Sequence, residues 1–273
     1  MSISSASMIC IVIALIMGIL IPLGLFIVLR KKTKASMKSF WIGCLIMFAF
    51  ALTVESLVHQ AVYATEVGKI IWGSTILYAV YGGLMAGLFE ETGRFVAFKF
   101  FLKKEQENDE NALAYAGGHA SMEVFAILFF TMLNNLTYAM VMRHPEKMAQ
   151  VNQFATPEQA EQIAEVYKTL HETPAWTYLL SVVERGSAVV LQFALTILVW
   201  FAVKKGGKKF ILFPLAILLH ALVDGSAVVV HQLTGNVFLT EGCILVFSIL
   251  CFVFACRVWK QERVVKETIE TSK

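Results

Sequence analysis

Apolar stretches long enough to cross a bilayer recur seven times along this 273-residue chain. They run at about 8–29, 39–60, 71–102, 112–142, 175–203, 210–231 and 239–257. A membrane span needs about 20 mostly apolar residues. With no water in the bilayer to bond the backbone, such a run satisfies its own N–H and C=O groups as a helix. The expected fold is therefore all-α: a polytopic integral membrane helical bundle of about seven transmembrane helices. Composition agrees. Hydrophobic residues make up 58% and charged residues 16%, with a mean hydropathy of +0.68. A soluble domain of this length carries more charge and shorter apolar runs. The third and fourth runs are long enough to tilt or to extend beyond the bilayer. No basic segment precedes the first run and no small-residue cleavage site follows it, so it reads as a permanent helix.

Basic residues cluster at alternate ends of these runs. Arg30, Lys31, Lys32, Lys34 and Lys38 follow the first, and Lys99, Lys103 and Lys104 end the third. Lys204, Lys205, Lys208 and Lys209 follow the fifth, and Arg257, Lys260 and Arg263 follow the seventh. The positive-inside rule places all four groups in the cytoplasm. The N-terminus is then outside and the C-terminus cytoplasmic. One long loop, about 143–174, falls outside, and its Thr156-Pro157-Glu158 reads as a helix start with Thr156 as N-cap. The chain is expected to form a single transmembrane domain over 1–273, with a charged cytoplasmic tail at about 258–273.

The five cysteines lie in or at the ends of spans with no CxxC spacing, which makes them small buried hydrophobes. The net charge of +3 comes from basic loops and gives no nucleic-acid surface. The partners this composition implies are the lipid bilayer and molecules that reach the protein through it.

Three of the spans carry ionisable groups, which are costly in hydrocarbon and mark functional sites. The first is GGLMAGLFEETGRF at 82–95. Gly83, Gly87 and Glu91 recur every four residues, so they share a helix face that a second helix can approach closely. Arg94 lies four residues after Glu90 and three after Glu91, within reach of either. One carboxylate can be neutralised by Arg94 while the other is left for acid–base chemistry. The second segment, AGGHASMEVF at 116–125, sets His119 and Glu123 one helical turn apart. The third, LLHALVDGS at 218–226, does the same with His220 and Asp224. That spacing offers two ligands to one metal ion; it also suits a plain hydrogen bond or an interhelical salt bridge. Counted from the basic clusters at ~1.5 Å per residue, the three segments lie about 12–18 Å from the cytoplasmic end. Independent salt bridges need not share a depth, whereas one site must.

Other polar residues within spans are less telling. Glu55 and His59 share a face of the second, and Asn134 and Asn135 lie near the outer end of the fourth. Glu184 and Arg185, in the outer half of the fifth, are two opposite charges that imply a polar interior and possible support for the site.

The motifs EExxR, HxxxE and HxxxD on successive spans, in the phrases FEETGR, GGHASMEVF and HALVDG, resemble the YhfC family of bacterial intramembrane metalloproteases. The resemblance covers essentially the whole chain. That family is similar in turn to the PrsW proteases and to the CAAX-processing (type II prenyl endopeptidase) membrane proteases. Those use a paired-glutamate motif and two histidine motifs, with a glutamate activating the water. The resemblance implies a multi-pass protein of the bacterial plasma membrane that cleaves a membrane protein or peptide. It implies that Glu90 and Glu91 belong to the water-activating motif and that Arg94 closes it. His119 matches the second motif, and His220 with Asp224 the third, where the prenyl-protease branch has asparagine. The motif here is one residue shorter than EExxxR, and Glu123 has no counterpart in that branch. The base is thus open between Glu90 and Glu91. The expected cofactor is a divalent metal ion, zinc before others, held by His119 and His220 with an oxygen of Glu123 or Asp224. Two rival expectations come from other classes. One is an ion- or proton-coupled transporter or channel, for which GGLMAG and AGGH would be mid-membrane helix breaks. The other is a non-catalytic scaffold of the same fold.

Overall fold

The computed structural model describes residues 3–271; residues 272–273, the end of the expected charged tail, lie outside them. The described residues form helices and no strand. These are α1 (Ser5–Lys32), α2 (Met37–Tyr63), α3 (Glu66–Trp72), α4 (Thr75–Phe101), α5 (Glu110–Met142), α6 (Pro145–Phe154), α7 (Pro157–Glu172), α8 (Ala175–Lys205), α9 (Gly207–Thr234) and α10 (Val237–Thr271). Among the described residues six are long and apolar enough to cross a membrane, or seven if α3 and α4 count as one broken span. The protein is an all-α, multi-pass membrane protein, as its apolar pattern predicts.

The third run differs from its expected form. An unbroken helix over 71–102 is predicted, but α3 and α4 meet at 110°. Ser74 causes the break. Its backbone is extended (φ −132°, ψ 117°), and its hydroxyl accepts the Leu77 N–H at 3.4 Å as the N-cap of α4. An N-cap needs one polar side chain and leaves the surrounding hydropathy unchanged, so apolar periodicity does not register it. The spans also contain wide π turns at Phe48–Glu55, Ala97–Phe101 and Phe125–Phe129. Each shifts the side chains that follow it around the helix, and such turns concentrate at functional sites.

The chain forms two compact units. One comprises Met1–Leu23 and Glu123–Arg185, the other Gly24–Met122 and Gly186–Lys273. In the first, Thr156 and Gln159 close a capping box at the start of α7, with Pro157 in the first turn. Tyr167 and Leu170 of α7 are buried, and Tyr167 meets Tyr138 edge-on at 5.9 Å.

The core of the second unit is built around α8. All nine residues of 194–202 are buried, Thr196 included, so every face of the helix is covered there. An apolar sequence with no polar face is what such a central position requires. Around it pack Ile46 of α2, Phe98 of α4, Tyr115 of α5, Ala216 of α9 and Ala255 of α10. Trp200 spends its one polar atom on Asp109, Nε1 donating at 2.9 Å. On the other side of α4, Gly83 and Gly87 lie against the backbone of α9. A methyl group on Gly87 would stand 2.5 Å from the Ile217 carbonyl oxygen, and one on Gly83 would strike that of Ala221. The glycine spacing in the sequence predicts this close approach, and it carries Glu91, on the same face, up to α9. Large apolar side chains on the outer surface, such as Leu222 and Phe238, are exposed, as a lipid-facing surface requires. All five cysteines are free.

Candidate functional site

Glu90, Glu91, Arg94, His119 and His220 of the three polar segments meet within the second unit. Glu91 and Arg94 are fully buried, and Glu90 is 7% exposed. His119 of α5 is likewise buried, and its Nε2 lies 2.9 Å from Glu90 Oε2. His220 of α9 is 3% exposed, with Nδ1 2.8 Å from Glu91 Oε1. Each histidine therefore has one glutamate of the pair as its partner. Adjacent residues on a helix point about 100° apart, which is how Glu90 reaches α5 while Glu91 reaches α9.

Arg94 joins the two couples. Its Nη1 donates to Glu91 Oε1, and its Nη2 lies 3.4 Å from Glu90 Oε2. The remaining partners come from α8. Nη2 also donates to Gln192 Oε1, and Nε donates to Thr196 Oγ1 at 3.2 Å. Gln192 Nε2 donates in turn to Glu90 Oε2 at 3.1 Å. A buried guanidinium is tolerable only with its N–H groups satisfied, and a carboxylate only with donors around it. This network supplies both.

Among the described residues nine buried side-chain atoms have no hydrogen-bond partner, Tyr115 Oη and Ser121 Oγ among them, and two belong to the ionisable groups of this cluster: Glu91 Oε2 and His119 Nδ1. Buried polar atoms are rarely left so. They lie on one oxygen and one nitrogen of the same centre, and both are atoms that bind a metal ion or a polarised water.

His220 differs from His119 in this respect. Its Nδ1 is on Glu91 and its Nε2 is 3.5 Å from Asp224 Oδ2, so both ring nitrogens face acids. The Asp224 side chain is 41% exposed, unlike the rest.

Glu90 and His119 offer ligand atoms within 4.8 Å of one another. Glu123 stands one turn beyond His119 on the same helix, so its carboxylate is presented on the face that carries His119. In the first unit Glu123 accepts from Arg185 Nη1 at 2.9 Å, and Arg185 also pairs with Glu184. The expected supporting pair thus acts on Glu123. An imidazole and carboxylates are a donor set that suits a divalent ion such as zinc.

Glu55 and His59 form a separate chain beside the site. Glu55 Oε1 is 3.2 Å from His59 Nε2, and His59 Nδ1 is 2.9 Å from the Tyr81 hydroxyl on α4.

Gln192 and Thr196 are the residues that sequence reasoning passes over. Their signal was present: two polar side chains at i and i+4 in an otherwise apolar run, LQFALTILVW. Neither is ionisable, so a search for acid–base or metal-binding groups does not stop at them.

Fold and centre define a class: a multi-pass membrane protein with a buried acid, histidine and arginine cluster between its helices. The sequence matches the family described as YhfC intramembrane metalloprotease over residues 17–244. It is 34% identical over 214 residues to the Bacillus subtilis (strain 168) protein named uncharacterized membrane protein YhfC, covering 78% of this chain and 81% of that one. The chain belongs to the YhfC intramembrane metalloprotease family. No solved structure matches it.

Proposed function

We propose that the protein is a metal-dependent endopeptidase that hydrolyses peptide bonds of membrane-associated substrates at the Glu90–Glu91–Arg94 centre. The observation that carries this reading is the buried cluster of Glu90, Glu91, Arg94, His119 and His220, within which Glu91 Oε2 and His119 Nδ1 have no hydrogen-bond partner. His119 and Glu90 hold the metal, with Glu123 as the next oxygen along the His119 helix. A divalent ion held there supplies a Lewis acid that polarises a peptide carbonyl and acidifies the attacking water.

The chain's own residues do the rest. Glu91 takes the proton of the water at Oε2 and delivers it to the nitrogen of the leaving amine. Arg94 and His220 hold Glu91 by its other oxygen, Oε1, leaving Oε2 free to do so. Asp224 fixes the ring of His220, and Arg185 fixes the carboxylate of Glu123. His220 and Asp224, offered by their spacing as metal ligands, are read here as the group that orients the base, because both His220 nitrogens already face acids. The basic clusters orient the protein with its N-terminus outside, which places α7 on the outer side of the membrane.

Metal content and peptide cleavage, measured together on detergent-purified variants, test this reading. His119→Ala is expected to lose both metal and cleavage. Glu91→Gln and His220→Ala are expected to keep the metal and lose cleavage. Loss of metal in His220→Ala would return His220 to the ligand set. Full cleavage by Glu91→Gln would remove the base assigned here. Wild-type protein that takes up metal ions into liposomes and cleaves nothing would favour a transporter.

A further inference from the structure

Glu90 and Glu91 are neighbours with the same chemistry, yet the centre treats them differently. The cause lies on another helix. Gln192 of α8 is 2% exposed, and its amide sits between Arg94 and Glu90. Oε1 accepts from Arg94 Nη2, and Nε2 donates to Glu90 Oε2 at 3.1 Å. These two bonds permit one orientation of the amide. Reversed, it would set its NH2 against a guanidinium and its oxygen against a carboxylate.

The consequence is an unequal guanidinium. Nη2 is drawn to Gln192 and stands 3.4 Å from Glu90 Oε2, long for a charge-assisted hydrogen bond. Nη1 is given to Glu91. Thr196, one turn along α8, holds Nε at 3.2 Å and fixes the plane of the group. A guanidinium left to itself between two carboxylates would engage both.

We propose that Gln192 is a positioning residue that divides the work of the glutamate pair. It takes the arm of Arg94 that would otherwise close on Glu90. Arg94 then neutralises Glu91, and Glu90 keeps its charge for His119 and a divalent cation. A neutral amide steadies Glu90 without cancelling its charge, which an arginine cannot do. The inference rests on the reading of Glu90 and His119 as metal-holding residues.

The test is the zinc affinity of the full chain in detergent, measured by competition with a chelator of known affinity. Gln192→Leu removes the amide and frees Nη2 to close on Glu90. Zinc is then expected to bind about ten- to a hundredfold more weakly, the range typical of lost outer partners of a ligand. Gln192→Asn is the conservative rescue. Its amide keeps one acceptor and one NH2 donor on a stem one methylene shorter, so affinity is expected to fall less than in Gln192→Leu. A merely structural role would not separate two variants that both fold. Unchanged affinity in Gln192→Leu overturns the inference, as does an equal loss in both variants. Wild-type protein that binds no zinc overturns the metal reading with it. Wild type that binds zinc beside an unaltered Gln192→Leu overturns this inference alone.

Discussion

Arg94 and Lys168 both stand close to glutamates on their own helices. Arg94, in the second unit, is wholly buried and reaches Glu90, Glu91, Gln192 and Thr196. Lys168, on α7 of the first unit, is half exposed and lies 3.8 Å from Glu165. The sequence spacing is similar, i,i+3 and i,i+4 against i,i+3. What differs is the solvent. On α7 water competes for both charges and the pair contributes little. Around Arg94 no water competes, so each N–H must find a protein acceptor and each deletion leaves a charge stranded. Charges that cost most to bury are kept where chemistry needs them, and the helices packed around them supply their partners.

The comparison can be broken by removing single groups, beginning with the largest effect. Arg94→Leu strands Glu90 and Glu91, and is expected to cost about 3–5 kcal/mol of stability. Reversible unfolding in mixed micelles reads this directly, and a cost below 1 kcal/mol would show that the centre is hydrated. Gly87→Leu comes next. Its side chain cannot fit against the Ile217 carbonyl, so α4 and α9 must part at about 1–3 kcal/mol. The same variant should weaken zinc binding, because both histidine–glutamate couples depend on the position of α4. Thr196→Val removes one acceptor of a buried charge at nearly constant volume. About 1.5–3 kcal/mol is the range for a hydrogen bond to a charged group, and the lower end is expected here because the other N–H groups stay engaged.

Two further substitutions sharpen the exposed side of the comparison. Lys38 reaches Glu105 at 2.7 Å, and this hydrogen bond holds the Glu105 carboxyl below the usual carboxylate range. A carboxyl whose pKa is lowered on folding adds stability above its ordinary value of about 4.3 and loses it as pH falls through the depressed one. Glu105→Gln should therefore lower stability at neutral pH, leave it nearly unchanged below the depressed pKa, and so flatten the acid limb of the stability curve. The size is at most about 0.5 kcal/mol, since Lys38 is 54% exposed. Lys168→Ala on α7 is expected to change stability least, by a few tenths of a kcal/mol. An effect above 1 kcal/mol would mean that this face of α7 is covered.

Much of the fold was legible because hydrocarbon is a demanding solvent. The long apolar runs and the basic clusters that alternate between their ends pointed to a multi-pass helical protein. Glu90, Glu91, His119 and His220 stood out because an ionisable group within a span needs a reason. Pairing was less legible. Shared depth suggested one site and the family resemblance implied that His119 and His220 share a metal, while no spacing told that His119 lies beside Glu90 and His220 beside Glu91. Which face of α4 meets α5 depends on packing by residues such as Phe98, whose contacts no local pattern encodes. The break at Ser74 and the parts played by Gln192 and Thr196 were hidden for a related reason. A single neutral polar side chain alters hydropathy little while deciding where a helix starts or where a guanidinium points.

The burial of α8 has a consequence for how the chain is made. Its inner half is enclosed partly by α9 and α10, which follow it in synthesis. Until they arrive, Trp200 and Phe201 have lipid or translocation machinery for neighbours. His220 emerges on the order of ten seconds after Arg94 at ordinary rates of translation. Through that interval Glu91 has no histidine, but it does have Arg94 on its own helix, one turn away. The nascent α4 can thus enter the bilayer with its strongest opposite charges already paired, and exchange that temporary arrangement for the finished centre as each later helix docks.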